Sequence, residues 1–159
     1  MTSDQTVPAP DSVAELLELD HRRLDAILVE AKRAMAAADL PQAAARFSEF
    51  RTGLERHIAA EEEVLFPAFD ALSGGSGSGP IRVMRMEHAE LRALMGEIAG
   101  ALEGSGVNAH TTPLASLTAR IYAHNGKEER ILYPATDQAA RDAGALEDLV
   151  RRLRAFLTA

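Results

Sequence analysis

Apolar residues recur every three or four positions through most of the chain, which is the spacing of amphipathic helices. Alternating strand patterns with hairpin turns are not found. The first helical series begins near Asp11 or Ser12, because Ser12 and Glu15 have the spacing of a capping box, and it extends to about Ala38. The pattern predicts an all-α protein.

Three more helical series follow the first. The second starts near Pro41, and Pro67 is expected to kink or end it within two turns. The third runs from about Pro80 to a glycine-rich break at residues 104–106, and the fourth covers about residues 112–134. Four long helices suit an up-down-up-down four-helix bundle.

The layout indicates a single domain with a short leader. Residues 1–10 are small, polar and proline-containing, and we expect them to be disordered. Residues 11–159 form the domain, with helix pairs at about 12–72 and 80–135. A further helical segment at about 137–157, interrupted near a glycine, is expected to pack on the bundle.

An internal repeat connects the two helix pairs at an offset of 67 residues. Each copy reads His, then His-x-x-x-Glu, then Leu-aromatic-Pro. The matched residues are His21 and His88, His57 and His124, Glu61 and Glu128, Glu62 and Glu129, Leu65 and Leu132, Phe66 and Tyr133, and Pro67 and Pro134. Residues four apart share a helix face, so each His-x-x-x-Glu can address one metal ion.

The residue types predict a dinuclear metal site. The chain has no cysteine, so a metal must use nitrogen and oxygen ligands, and imidazole with carboxylate suits iron, with manganese or zinc as alternatives. The predicted ligands are His21 and His57 for one ion, His88 and His124 for the other, and Glu61 and Glu128 as bridges. With a solvent-derived bridge, each six-coordinate iron keeps an open position for oxygen, nitric oxide or peroxide.

These motifs resemble the hemerythrin-like, or HHE cation-binding, family over about residues 12–135. The resemblance implies a four-helix bundle with a non-haem di-iron centre. Oxygen-carrying members have a third histidine on one iron at the position of Arg92, and an aspartate five residues after the last histidine, where this chain has Glu128 at four. The four-histidine, two-glutamate set is more similar to iron-centre repair proteins and to the iron-sensing domain of a ubiquitin-ligase subunit.

The net charge and the hydropathy of the chain limit the classes of partner that we expect. The net charge is -7 and the pI is about 5.2, which argues against nucleic-acid binding, because phosphate recognition needs a basic face. No signal-peptide pattern and no run near 20 apolar residues is found. The sequence therefore predicts a soluble cytoplasmic protein without membrane contact. It does not indicate a protein partner.

The leading functional hypothesis is a binding module that holds two irons and binds or senses oxygen, nitric oxide or iron, with no catalytic residues assigned. The alternatives are a di-iron oxidoreductase acting on peroxide or nitric oxide, and iron storage or delivery for iron-centre repair. Catalytic turnover would distinguish the first alternative, and ready release of iron to an acceptor would distinguish the second.

Five residues near the motifs receive other roles. Tyr122 and Tyr133 could tune the site or carry electrons, and aromatic packing is the favoured prediction for both. His110 is predicted to be a solvated loop residue. Glu62 and Glu129 are turned about 100° away from the glutamates before them, which places them at the rim of the site.

Overall fold

The helices of this protein follow one another along the whole described chain. The structure is a computed structural model, and it describes residues 8–75, 79–104 and 108–159, which contain no strand. Residues 1–7 of the predicted leader lie outside the described residues. The helical elements are α1 (Val13–Ala36), α2 (Leu40–Ala60), π1 (Glu61–Leu65), α3 (Phe66–Leu72), α4 (Pro80–Glu103), α5 (Thr111–Lys127), π2 (Glu128–Leu132), α6 (Tyr133–Asp142) and α7 (Leu146–Thr158). The all-α prediction is confirmed.

The first two helices begin at side-chain caps. Ser12 accepts a hydrogen bond from the backbone N–H of Glu15 at 3.1 Å, as the capping box predicts. Asp39 caps α2 in the same way by accepting from the N–H of Gln42 at 3.2 Å. These caps satisfy backbone donors that have no partner inside the helix.

Two prolines lie inside helices that continue past them. The helix containing Pro67 ends at Leu72, within two turns as predicted. The prediction that the fourth helix ends at about Pro134 is wrong, because π2 and α6 extend it to Asp142. Each proline occupies an early position of the α-helix that follows a π-helical turn, where a missing N–H removes little.

Apolar residues form two clusters with the histidines between them. One cluster includes Phe47, Phe50 and Met95, and the other includes Phe66 and Leu153. Helices α1, α2, α4 and α5 each contribute one histidine at the level between the clusters, and α1 packs on α2, α2 on α4, and α4 on α5. A polar layer therefore crosses an apolar core.

The C-terminal helix closes one end of this arrangement. Gly144, with a φ of +67°, separates α6 from α7, which confirms the predicted interruption. Leu149, Val150 and Leu153 of α7 are buried, and α7 packs against α1, α2 and π1. None of the described helices combines the length and the hydropathy that crossing a membrane would require.

Asp137 ties α6 to the start of α1. Its two carboxylate oxygens accept from the backbone N–H groups of Val13 and Ala14 at 2.7 and 3.1 Å. Asp137 is buried, and the positive end of the α1 dipole favours its charge. The link joins residues far apart in the chain.

We expect Asp137→Ala to lower the free energy of unfolding by about 1–2 kcal/mol, because two buried helix N–H groups lose their acceptor. Urea unfolding measures the change. Asp142→Ala is the control, since Asp142 lies exposed at the end of the same helix, and its effect should stay within about 0.5 kcal/mol. Equal effects of the two substitutions would contradict the tie.

Candidate metal centre

All six residues predicted as metal ligands meet in the polar layer. Their side chains are between 0% and 4% exposed. Unpaired charges at such depth would be strongly unfavourable. The six residues are His21, His57, Glu61, His88, His124 and Glu128.

Two four-residue groups share the two glutamates. In each group the potential ligand atoms lie within 4.8 Å of one another. The first group contains His21 and His57, the second contains His88 and His124, and both contain Glu61 and Glu128. The two groups have the same members as the two ligand sets derived from the repeat, and their occupation by two ions stays a prediction.

Each glutamate points one oxygen at each histidine pair. Glu61 places Oε1 3.4 Å from Nε2 of His57 and Oε2 3.2 Å from Nε2 of His88. Glu128 places Oε2 3.3 Å from Nε2 of His21 and Oε1 3.0 Å from Nε2 of His124. Both carboxylates therefore have the orientation of bridging ligands.

A ring of four further carboxylates holds the outer nitrogen of each of the four histidines in the site. The Nδ1-to-oxygen distances are between 2.8 and 3.0 Å. The pairs are His21 with Glu129, His57 with Asp20, His88 with Glu62, and His124 with Glu87. Carboxylates in this position fix the tautomer and the ring orientation of metal-binding histidines.

Sequence reasoning identified only half of this ring. Glu62 and Glu129 were predicted at the rim, and they lie there, but Asp20 and Glu87 were missed. The available signal was the repeat itself, because Asp20 and Glu87 are also 67 residues apart. Each precedes one histidine in the chain but contacts the histidine of the neighbouring helix.

Each shared glutamate has one inner oxygen for which the described residues supply no hydrogen bond. A neutral imidazole has one N–H, and when Nδ1 donates it to the outer carboxylate, Nε2 presents a lone pair to the glutamates. Among the described residues, Oε2 of Glu61 and Oε1 of Glu128 are buried without a hydrogen bond. A cation between these oxygens and the imidazole nitrogens would satisfy both sets of lone pairs, so the residues fit a metal.

Tyr133 also reaches the centre of the site. Its hydroxyl oxygen is 2.5 Å from Oε1 of Glu61 and 2.9 Å from Oε2 of Glu128. Its side chain is fully buried, so aromatic packing describes only part of its role. The sequence indicated a polar role only as the second alternative for Tyr133, and these contacts favour that alternative.

A π-helical turn brings Tyr133 to the site. On an α-helix a residue five positions after Glu128 would be rotated away from it by about 140°. In π2 the N–H of Tyr133 donates to the carbonyl oxygen of Glu128, five residues back, which stacks Tyr133 above Glu128 on one side. The first copy has the same turn, in which the backbone N–H of Phe66 donates to the carbonyl oxygen of Glu61.

Arg92 occupies the position where the resemblance places a third histidine ligand. Its guanidinium forms a two-pronged contact with Glu62 at 3.1 and 3.2 Å and a hydrogen bond with Glu55 at 3.0 Å. Arg92 is therefore ion-paired, and it holds Glu62 in place against His88.

Two other predictions are wrong. His110 is 9% exposed at the start of α5 and is not a solvated loop residue. Tyr122 is 82% exposed on α5 and does not pack in the core. Neither residue belongs to the two ligand groups.

The charges of the site shift the pKa of its members. Burial opposes a charge on His57, but Glu61 and Asp20 outweigh it and raise its pKa to about 10. Burial likewise opposes a charge on His88, and Glu128 and Glu61 raise its pKa to about 9. Burial and the two glutamates raise the pKa of the Tyr133 hydroxyl well above its ordinary value. In the metal-free protein these imidazoles therefore hold protons, and a metal ion must displace those protons when it binds.

We expect the metal-free protein to lose stability as the pH rises from about 6.5 to about 10. Protonated His57 and His88 stabilise the fold fully below their ordinary pKa of 6.5, and this contribution disappears as the pH passes their raised pKa values of about 10 and about 9. Melting temperatures across this range, with and without iron, measure the effect. In the iron-loaded protein the imidazoles bind the metal in their unprotonated form. The melting temperature of the loaded protein should therefore not fall over this pH range. Melting temperatures that change with pH in the same way with and without iron would contradict the prediction.

We expect Glu87→Gln to weaken metal binding about 10- to 100-fold, because His124 loses the charged acceptor of its Nδ1 proton. Competition with a chelator measures the affinity. Glu90→Gln is the matched control, since Glu90 lies on the same helix, exposed and paired with Arg120. An affinity in Glu87→Gln equal to that in Glu90→Gln would show that the carboxylate ring does not support the ligands.

Comparison with known proteins agrees with this geometry. The family model of the hemerythrin HHE cation binding domain matches residues 12–136. No curated protein and no solved structure matches the chain. The matched range contains both histidine pairs, both shared glutamates and Tyr133. The chain therefore belongs to the hemerythrin HHE cation-binding family, and its buried histidine and glutamate groups are the candidate cation site of that domain.

Proposed function

We propose that this protein holds two iron ions between its four histidines and binds a small molecule, oxygen or nitric oxide, at them. The observation that supports this proposal most strongly is the placement of Glu61 and Glu128. Each glutamate directs one oxygen toward each histidine pair, and each has one oxygen without a hydrogen bond. The proposal includes the up-down-up-down order of the four histidine-bearing helices.

The donor set supports iron. Two imidazole nitrogens and two carboxylate oxygens per ion form a mixed nitrogen and oxygen environment without thiolate, which suits iron more than softer metals. Two iron ions would also neutralise the charges of the two buried glutamates. Bound iron would supply a site for a diatomic ligand, while the protein holds the imidazoles and restricts access.

Burial supports binding of a small ligand more than storage or delivery of iron. The six predicted ligands are at most 4% exposed, so a protein acceptor cannot approach the ions directly. Apolar side chains of two clusters cover the site from both sides. A molecule of two or three atoms is the class of ligand that such an enclosed site admits.

Metal analysis tests the proposal. After anaerobic loading with ferrous iron and desalting, we expect two irons per chain. His57→Ala and His124→Ala should each lose most of the bound iron, because each removes one ligand and leaves a shared glutamate unbalanced. His110→Ala is the control and should keep two irons, since His110 belongs to neither group.

Exposure of the loaded protein to oxygen or nitric oxide then tests the ligand. We expect changes in the optical spectrum that the metal-free protein does not show, with nitric oxide detected by its iron–nitrosyl signal. One iron per chain, or two irons retained in both histidine variants, would contradict the di-iron centre. Two irons that respond to neither gas would contradict the ligand.

A further inference from the structure

The internal repeat is broken at one atom inside the site. Phe66 and Tyr133 occupy equivalent positions, both fully buried. The ring of Phe66 lies 5.5 Å from the ring of His88, and the ring of Tyr133 lies 5.8 Å from the ring of His21. The two halves therefore place an aromatic ring beside equivalent histidines, and only one of the rings carries a hydroxyl.

The Tyr133 hydroxyl lies among the atoms of the first ligand group. Besides its short contacts with Glu61 and Glu128, its oxygen is 3.3 Å from Nε2 of His21 and 3.5 Å from Nε2 of His57. Ligand atoms that share one cation at about 2.1 Å and stand at right angles lie roughly 3 Å apart. All four distances are close to this separation.

Within the part of the chain that the structure describes, the second ligand group has no such oxygen. Nε2 of His88 and Nε2 of His124 face each other at 3.1 Å, the spacing of two ligands on one ion. Phe66, stacked parallel to His88, presents only carbon there. The two halves of the site therefore differ in their number of donor atoms.

We propose that Tyr133 is a fifth protein ligand of the metal held by His21 and His57, and that the small ligand consequently binds at the metal held by His88 and His124. This inference rests on the proposed di-iron function. The first metal would have two nitrogens, two carboxylate oxygens and the phenolic oxygen, and the second only four donors. With a solvent-derived bridge completing both, a six-coordinate pair leaves its open position on the second metal.

Binding of the Tyr133 oxygen needs no oxidant or reductant. The metal–oxygen bond forms as the hydroxyl proton is released to solvent, and the cation takes over the role of that proton between Glu61 and Glu128. Tyrosine is an established oxygen ligand of iron in proteins. It also adds a negative charge beside the more highly charged ferric ion.

Spectroscopy of the ferric protein tests the ligand role. A tyrosine bound to ferric iron gives a charge-transfer absorption in the visible range and tyrosinate vibrations in the resonance Raman spectrum. We expect both in the natural protein and loss of both in Tyr133→Phe, with two irons retained. Phe66→Tyr is the matched variant, because it adds a hydroxyl at the equivalent position of the other half and should increase the intensity.

Titration with nitric oxide tests where the small ligand binds. We expect one nitric oxide per pair of ferrous irons in the natural protein and a second one in Tyr133→Phe, whose first metal gains an open position. Two nitric oxide molecules per pair in the natural protein would overturn this part of the proposal.

The outcomes separate this inference from the function on which it rests. Two irons per chain without a tyrosinate signal would overturn the role of Tyr133 and leave the di-iron function intact. Fewer than two irons would contradict the di-iron function itself. If Tyr133→Phe fails to fold, the spectra of the natural protein and of Phe66→Tyr still test the role of Tyr133. An unchanged charge-transfer intensity in Phe66→Tyr with two irons bound would contradict the equivalence of the two positions.

Discussion

Two glutamate side chains without solvent exposure, Glu61 and Glu128, are the constraint on which the rest of this structure depends. Buried carboxylates require compensation, and the chain surrounds them with four imidazoles and one phenol. Each imidazole in turn is held by an outer carboxylate, so charge alternates from the centre to the surface. Burial raises the pKa of Glu61 and Glu128, but the imidazoles outweigh it and keep both carboxylates ionised, and they are therefore ready to bind a cation.

The two π-helical turns connect this chemistry to the fold. Each begins at one of the central glutamates and ends just before an aromatic residue and a proline. The wider turn in the second copy brings the Tyr133 hydroxyl within hydrogen-bond distance of Glu128. The helix then continues through Pro134 as α6, which packs on α7. A π-helical turn is rare and often marks a functional site, and its occurrence in both halves agrees with that association.

Much of this arrangement was predictable from the sequence, because an internal repeat indicates that the two halves of the fold have equivalent structures. Apolar spacing and caps located the starts of α1 and α2, and the matched histidines and glutamates indicated six residues that do meet. Periodicity assumes α-helical geometry, however, and so it did not predict the π-helical turn that brings Tyr133 to Glu128. The prediction also ended a helix at Pro134, where the helix continues. The contacts of Asp20 with His57 and of Glu87 with His124 cross between helices, and no spacing within one helix reports them.

The central claim is that Glu61 and Glu128 bridge two metal ions, and X-ray absorption of the iron-loaded protein measures this most directly. A shared pair of glutamates with a solvent-derived bridge predicts an iron scatterer at roughly 3–4 Å from each iron, a range that includes the separations of two-metal sites. It also predicts a first coordination sphere of nitrogen and oxygen only. An iron environment without a second iron in this range, at full iron loading, would contradict the account.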